Sequence, residues 1–258
     1  MVTPEKIERI RAMKTAGRKI AALTAYDYPI ARLLDESGID VILVGDSLGM
    51  VVLGFPDTTS VTMEHMVHHC AAVSRGVKNA LVVADLPIGS DATPEAALAN
   101  SRRLIAAGAG AVKIEGPRCA EICAVVQAGI PLMSHLGMLP QRVREEGGYH
   151  VKGKTPAEAS ALLDQARAVE AAGAFALVLE LVQPDVAARI SEGVRIPTIG
   201  IGSGAACDGQ ILVTHDLIGL FPWFRPRFAR PEADVASQIR AAVGAFRERT
   251  QGPGPTGI

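Results

Sequence analysis

The chain has 258 residues, of which 48% are hydrophobic and 4% aromatic, and its formal net charge is −1. It is long enough for one large core packed from Ala, Val, Leu and Ile, and too hydrophobic for an inherently disordered protein. The balanced charge and scarce aromatics argue against a nucleic-acid surface, and no run reaches the roughly eighteen apolar residues of a membrane span.

The segment Thr3–Thr15 opens with a Thr-Pro-Glu cap signal and sets Ile7, Ile10 and Met13 at helical spacing. Preceding the first strand, this helix is placed to plug the amino-terminal mouth of a barrel. A strand is expected over Lys19–Ala25 and a helix over Tyr28–Ser37. Further strands are expected at Asp40–Val44, Ala80–Ala84, Ala111–Glu115, Ile130–His135, Phe175–Glu180 and Ile196–Ile201. A weaker one follows at Gln210–Thr214. These short Val/Leu/Ile-rich runs are the pattern of strands covered on both faces.

Helices between them are expected to start at Thr62, Thr93, Pro117, Thr155 and Pro184. Gly38, Gly108, Gly129, Gly173 and Gly193 supply the stops. A last helix is read over Glu232–Glu248, with residues 252–258 as a frayed Gly/Pro tail. Strands alternating with helices imply a parallel sheet. The length, together with the near-repeat AAGAGAVKIE and AAGAFALVLE, favours a (β/α)8 TIM barrel with an N-terminal capping helix, one domain over 1–258. Two long connections, Ser47–Ser60 and Gly137–Lys154, fall at the carboxyl ends of strands, where such loops are usually functional.

Cys70, Cys119, Cys123 and Cys207 show neither zinc-ligand spacing nor a disulfide framework, so a cytoplasmic location is expected. The N-terminal stretch carries charges throughout and lacks the apolar region of a secretory signal.

Ligands bind at the carboxyl ends of barrel strands, and these strands end on charge. Asp46, Asp85 and Glu115 close three consecutive strands, and neighbouring strands lie about 4.8 Å apart. Oxygen-only ligands of this kind suit Mg²⁺ or a similar hard divalent ion. The alternative is that each acid caps the following helix. Lys113 and Glu115 are two apart and face the barrel interior together. A lysine there needs a carboxylate or an anionic ligand, so it is an anion-binding cation, a Schiff-base nucleophile or half of a structural ion pair. Glu180, preceded by an apolar run, is a candidate general base for a carbon acid. His135, on the strand between, is a candidate hydrogen-bond donor to a ligand oxygen.

Weaker signals are the His65/His69 pair, read as a solvated or interface helix face rather than a metal site, and the glycines Gly200, Gly202 and Gly204, a turn whose amides could approach an anion or a plain tight turn. The loop EGGYHVKGK, with Tyr149, His150, Lys152 and Lys154, reads as a lid for an acidic ligand or as a solvated loop.

Taken together, LTAYDYPIA, VGDSLGM, VVADLP, VKIEG, HLGMLPQ, GGYHVKGK, LVLE and IGIGSGAACDGQILVTHD resemble the ketopantoate hydroxymethyltransferase family over nearly the whole chain. The resemblance implies a (β/α)8 barrel, assembled as a homodecamer, that transfers a hydroxymethyl group from 5,10-methylenetetrahydrofolate to 3-methyl-2-oxobutanoate through a metal-stabilised enolate. It implies one Mg²⁺ per subunit on Asp46 and Asp85, with Glu115 in the metal's shell through water. Ser47 and Lys113 would hold the substrate carboxylate, and Glu180 would be the base. Small-molecule partners are expected, with no nucleic acid and no membrane.

The chain departs from the family pattern at SHLGMLPQ, where Ser134 and Leu139 replace a glycine and a threonine, and in GLFPWFRPRFARP. Competing readings are a Mg²⁺-dependent lyase or aldolase of the phosphoenolpyruvate/pyruvate type, a metal-free Schiff-base aldolase using Lys113, and a barrel that binds an oxo acid or a partner without turnover.

Overall fold

In a computed structural model of the protein, described over residues 4–251, eight parallel strands close into a barrel in chain order. They are β1 (Ile20–Thr24), β2 (Val41–Val44), β3 (Leu81–Asp85), β4 (Ala111–Glu115), β5 (Leu132–Gly137), β6 (Ala176–Glu180), β7 (Thr198–Ile201) and β8 (Gly209–Leu212). The helices are α1 (Pro4–Thr15), α2 (Tyr28–Glu36), α3 (Leu48–Val51), α4 (Met63–Gly76), α5 (Pro94–Ala106), α6 (Cys119–Gln127), α7 (Pro156–Ala171), α8 (Pro184–Gly193), α9 (Thr214–Leu217) and α10 (Val235–Gln251). The residues separate into two compact units divided between Ile211 and Leu212. The tail 252–258 lies outside the described residues.

Side chains alternate across the barrel wall as period-two strands require. One set, including Val41, Leu43, Leu81, Val83, Ala111, Met133, Val178 and Ile199, fills the interior. The other, including Ile42, Val82, Val112, Ile114, Leu132, Leu177 and Leu179, packs under the helices. Ile7, Ile10 and Met13 of α1 belong to the interior set, beside the strand-start residues Ile20, Val41 and Leu81, so α1 plugs the amino-terminal mouth as its spacing implies. Fully burying Ile10 there contributes roughly 1.5–3 kcal/mol. Two lysines anchor the plug: Lys6 Nζ donates to the carbonyls of Lys78 and Ala80, both at 2.8 Å, and Lys14 Nζ reaches Asp208 Oδ2 at 2.8 Å.

The threonine caps form as expected. Thr62, Thr93 and Thr155 each accept a backbone N–H from the first turn of α4, α5 and α7. The helix expected from Pro117 starts at Cys119, behind Arg118, which makes no side-chain cap. The last helix is shifted to Val235–Gln251, with the Asp234 side chain accepting from Ser237 N at its start. The connection from Ser47 to Ser60 contains α3 and a 3₁₀ turn at Thr58–Ser60. In the second unit, the loop after α9 is tied down by Glu232 N donating to Leu217 O and Val235 N to Ile218 O. Among the described residues no helix is long and apolar enough to cross a membrane.

Candidate active site

Strand register gathers the charged residues at one end of the barrel. Asp85 lies beside Lys113, Glu115 beside His135, and Gly137 beside Glu180. Asp46 follows two residues after the end of β2, on the turn into α3. Asp46, Asp85, Lys113, Glu115 and His135 are all buried, and the Glu180 side chain is 14% exposed. The site residues read from the sequence therefore do converge.

Asp85 is the most fully engaged of the acids. Its Oδ1 accepts from Lys113 Nζ at 2.9 Å and its Oδ2 from the Asp46 backbone N–H at 3.1 Å. With Asp85, Glu115 and Asp46 around it, Lys113 is held protonated well above the ordinary lysine range, although burial alone would lower it. A nucleophilic lysine needs the opposite shift, so the Schiff-base reading fails on this geometry.

Asp46 is pushed the other way. Burial, then the charges of Asp85 and Glu115, raise its carboxyl well above the usual range, against the pull of Lys113 and Gln141. Glu115 is lowered: burial opposes its ionisation, but His135, Lys113 and the Gln141 N–H prevail.

His135 stands between two acids. Its Nδ1 is 3.4 Å from Glu115 Oε1 and its Nε2 is 3.3 Å from Glu180 Oε2. Both ring nitrogens lack a hydrogen-bond partner among the described residues, so these are ion-pair contacts. Burial and the Lys113 charge pull the imidazole down, but Glu115 and Glu180 lift it to about 9. Behind Glu180 the backbone is unusual. Leu181 adopts φ +48° and is held by its N–H to Ile201 O at 2.9 Å, while Val182 N donates to Ser203 Oγ at 3.0 Å. The strand β5 passes so close to the Glu180 carbonyl that a Cβ at Gly137 would collide with it. Only glycine fits there.

Ser47 Oγ is 2.8 Å from Tyr26 Oη. A Cβ at Gly45, in the turn before it, would sit 2.9 Å from the Ser47 hydroxyl and push it aside. Tyr26 was not legible as a site residue, although it lies in the LTAYD motif directly after β1. Gln141 was also missed. Its Nε2 donates to Asp46 Oδ2 at 2.8 Å and to Leu86 O at 2.9 Å, and its backbone N–H donates to Glu115 Oε2 at 3.2 Å.

The long loops meet over this end. Arg144 donates to both Asp57 carboxylate oxygens, at 2.7 and 3.2 Å, and Tyr149 Oη donates to Met50 Sδ at 3.8 Å. Burial, and then Glu180 and Asp46, raise the Tyr149 phenol to about 12, which places it within the field of the acids. Of the loop's basic groups, Lys152 is already paired with Glu146, and its backbone bridges to Val182.

The weaker motifs have structural uses. His65 Nδ1 accepts from Thr62 N in a capping box, and His69 Nδ1 donates to Tyr26 O at 2.6 Å. Ser203, between Gly202 and Gly204, donates to Leu179 O at 2.7 Å, so this glycine turn braces β6. Ser134 faces the helices with Leu132 and Leu136, away from the acids. Its Oγ has no hydrogen-bond partner among the described residues.

The donor set fits a hard cation. Four clustered carboxylates, Asp46, Asp85, Glu115 and Glu180, lie with one lysine and one histidine, an oxygen-rich, negatively charged set of the kind hard divalent ions take. As the side chains stand, no three acidic, His or Cys groups among the described residues form a ready ligand cage, and Lys113 and the Asp46 and Gln141 N–H groups donate to oxygens of Asp85 and Glu115.

Known proteins place this site in context. Solved barrels of similar shape include the phosphoenolpyruvate phosphomutase from Streptomyces platensis, with a TM-score of 0.65 at 17% identity over 95% of this chain and 87% of that one. A 2,3-dimethylmalate lyase of the PEP mutase/isocitrate lyase superfamily gives 0.62 at 16% identity over 99% and 90%. At such identities the likeness shows the fold alone. The 3-methyl-2-oxobutanoate hydroxymethyltransferase of Ignicoccus hospitalis is 51% identical over 91% of this chain and 90% of its own length. That of Carboxydothermus hydrogenoformans is 52% identical over 93% and 88%. Residues 4–253 match the ketopantoate hydroxymethyltransferase model from end to end of the barrel, and the chain belongs to that family.

Proposed function

We propose that the protein transfers a hydroxymethyl group from 5,10-methylenetetrahydrofolate to 3-methyl-2-oxobutanoate, giving 2-dehydropantoate. The observation that carries this is the union of family membership over residues 4–253 with a buried acid cluster facing a base, Glu180, at the same barrel end. In the reaction the C3–H bond of the oxo acid breaks and a bond forms from C3 to the one-carbon unit. Water supplies the hydroxyl oxygen and tetrahydrofolate leaves.

Glu180 takes the C3 proton. Its Oε2 faces His135, which leaves Oε1 to meet the substrate. His135, charged between Glu115 and Glu180, holds the base in place. Lys113, kept protonated, and Ser47, fixed by Tyr26, hold the substrate carboxylate, whose charge would otherwise oppose enolisation. Asp46, Asp85 and Glu115 would hold one Mg²⁺, which as a Lewis acid supplies stabilisation of negative charge developing on the substrate. The loops 47–60 and 138–154 restrict water over the site. The wider reading is a cytoplasmic homodecamer: the decamer rests on the family resemblance, and the cytoplasmic location on the cysteine pattern and the charged N-terminal stretch.

The test is 2-dehydropantoate formation from the two substrates in Mg²⁺ or in EDTA. Product with Mg²⁺ that vanishes in EDTA supports both the reaction and the metal. Product insensitive to EDTA removes the metal role, and no product in either condition removes the reaction.

A further inference from the structure

We infer that Gln141 is a positioning residue whose side chain fixes Asp46 as a cation ligand while its backbone N–H fixes Glu115. The inference rests on the proposed Mg²⁺ site and deepens it.

Gln141 is buried on the 3₁₀ turn Pro140–Arg142, after the strand that carries His135. Its amide nitrogen faces two acceptors, Asp46 Oδ2 at 2.8 Å and Leu86 O at 2.9 Å. Only the NH₂ end of the amide suits two acceptors, so both of its protons are committed and its orientation is determined. Leu86 follows Asp85 directly. One side chain therefore ties the turn after β2 to the end of β3, while the backbone N–H of the same residue holds Glu115 at the end of β4. Each of the three acids sits at the mouth of a different loop, and Gln141 is bonded at all three places.

The chemistry of the donor matters as much as its position. Lys113 already neutralises one charge at Asp85. A second cationic donor on Asp46 would cancel the charge that attracts a metal ion. A neutral amide orients the carboxylate and leaves its charge in place, with Asp46 Oδ2 occupied and the other oxygen directed elsewhere. Outer partners of metal ligands act in this way, and their loss typically weakens metal binding by about 10–100-fold.

The test uses Gln141→Met, which keeps length and removes both donors. Mg²⁺ affinity is measured by calorimetry in the presence of 3-methyl-2-oxobutanoate, beside the melting temperature without metal and the Mg²⁺ dependence of C3 proton exchange. The expected result is Mg²⁺ binding weakened by at least about 10-fold and exchange restored by saturating Mg²⁺, with a metal-free melting temperature lowered by the two acceptors left without their donor. An unchanged Mg²⁺ affinity, with or without a lower melting temperature, overturns the inference and leaves Gln141 a structural residue. If Gln141→Met does not fold, Gln141→Asn decides. It keeps a neutral amide too short to span Asp46 and Leu86, and unaltered affinity there overturns the inference equally. Failure of the wild type to bind Mg²⁺ at all overturns the metal reading itself, which separates the two failures.

Discussion

Glu180 Oε2 lies 3.3 Å from His135 Nε2, and the same imidazole reaches Glu115 through its other nitrogen. The proposed base is thus linked to Glu115 of the acid cluster through one imidazole. Replacing Glu180 by Gln keeps the size of the side chain but removes its proton affinity. Glu180→Gln is expected to keep binding of the oxo acid and to lose C3 proton exchange by about 10²–10⁴-fold, the usual weight of a general base. Deuterium exchange at C3 followed by NMR reads this directly. Exchange at the wild-type rate would take Glu180 out of the mechanism.

The Lys113–Asp85 pair is buried on both sides, with side chains 5% and 4% exposed. Its value is not the attraction alone but what its loss would leave behind. Lys113→Met strands Asp85 beside Asp46 and Glu115, and breaking a buried pair of this kind costs about 3–5 kcal/mol. Urea unfolding should show that loss without Mg²⁺ and a smaller one with it, since a divalent ion replaces the missing charge. A loss equal in both conditions would argue that no cation enters the cluster.

The sequence carried most of this in its apolar runs. Period-two strands with charged ends predict both the barrel and the convergence of Asp85, Lys113, Glu115, His135 and Glu180, because strand direction and side-chain parity are local properties; Asp46 has the outward parity of Ile42 and Val44 and reaches the site through the turn into α3. Gln141 was hidden for the opposite reason. Its partner Asp46 is 95 positions away, and its role depends on how a 3₁₀ turn folds back across two other loops. Tyr26 was hidden likewise, since its contact to Ser47 follows from the path between β1 and α2. The His65/His69 spacing shows the converse hazard: a ligand-like interval that the fold uses for a helix cap and a carbonyl contact.

The loops over the site are joined by Arg144 and Asp57. The arginine side chain is 61% exposed, so the pair adds little to global stability despite its bidentate geometry. Arg144→Ala is expected to leave urea unfolding nearly unchanged, yet to speed limited proteolysis within 47–60 and 138–154. Faster cleavage with unchanged unfolding supports the clasp. Unchanged cleavage would show that other contacts hold the loops together.

Asp35 offers a test of the scaffold rather than the site. Buried at the end of α2, its carboxylate accepts from the backbone N–H groups of Lys78, Asn79 and Ala80, at 3.1, 2.9 and 2.7 Å, and from Asn79 Nδ2 at 3.1 Å. Burial opposes its ionisation, but these donors prevail and lower its pKa. A carboxylate lowered in the folded state contributes stability that is present above the unfolded value, about 4, and is lost as pH falls through the folded one. Asp35→Asn places an amide N–H against donors and should cost about 2–3 kcal/mol at pH 7. Because the wild type loses its own advantage in acid, the gap between the two proteins should narrow below about pH 4. Urea unfolding of both at pH 7 and pH 3 measures that gap. A gap of constant size would mean that shape, rather than the charge on Asp35, holds the α4–β3 turn to α2.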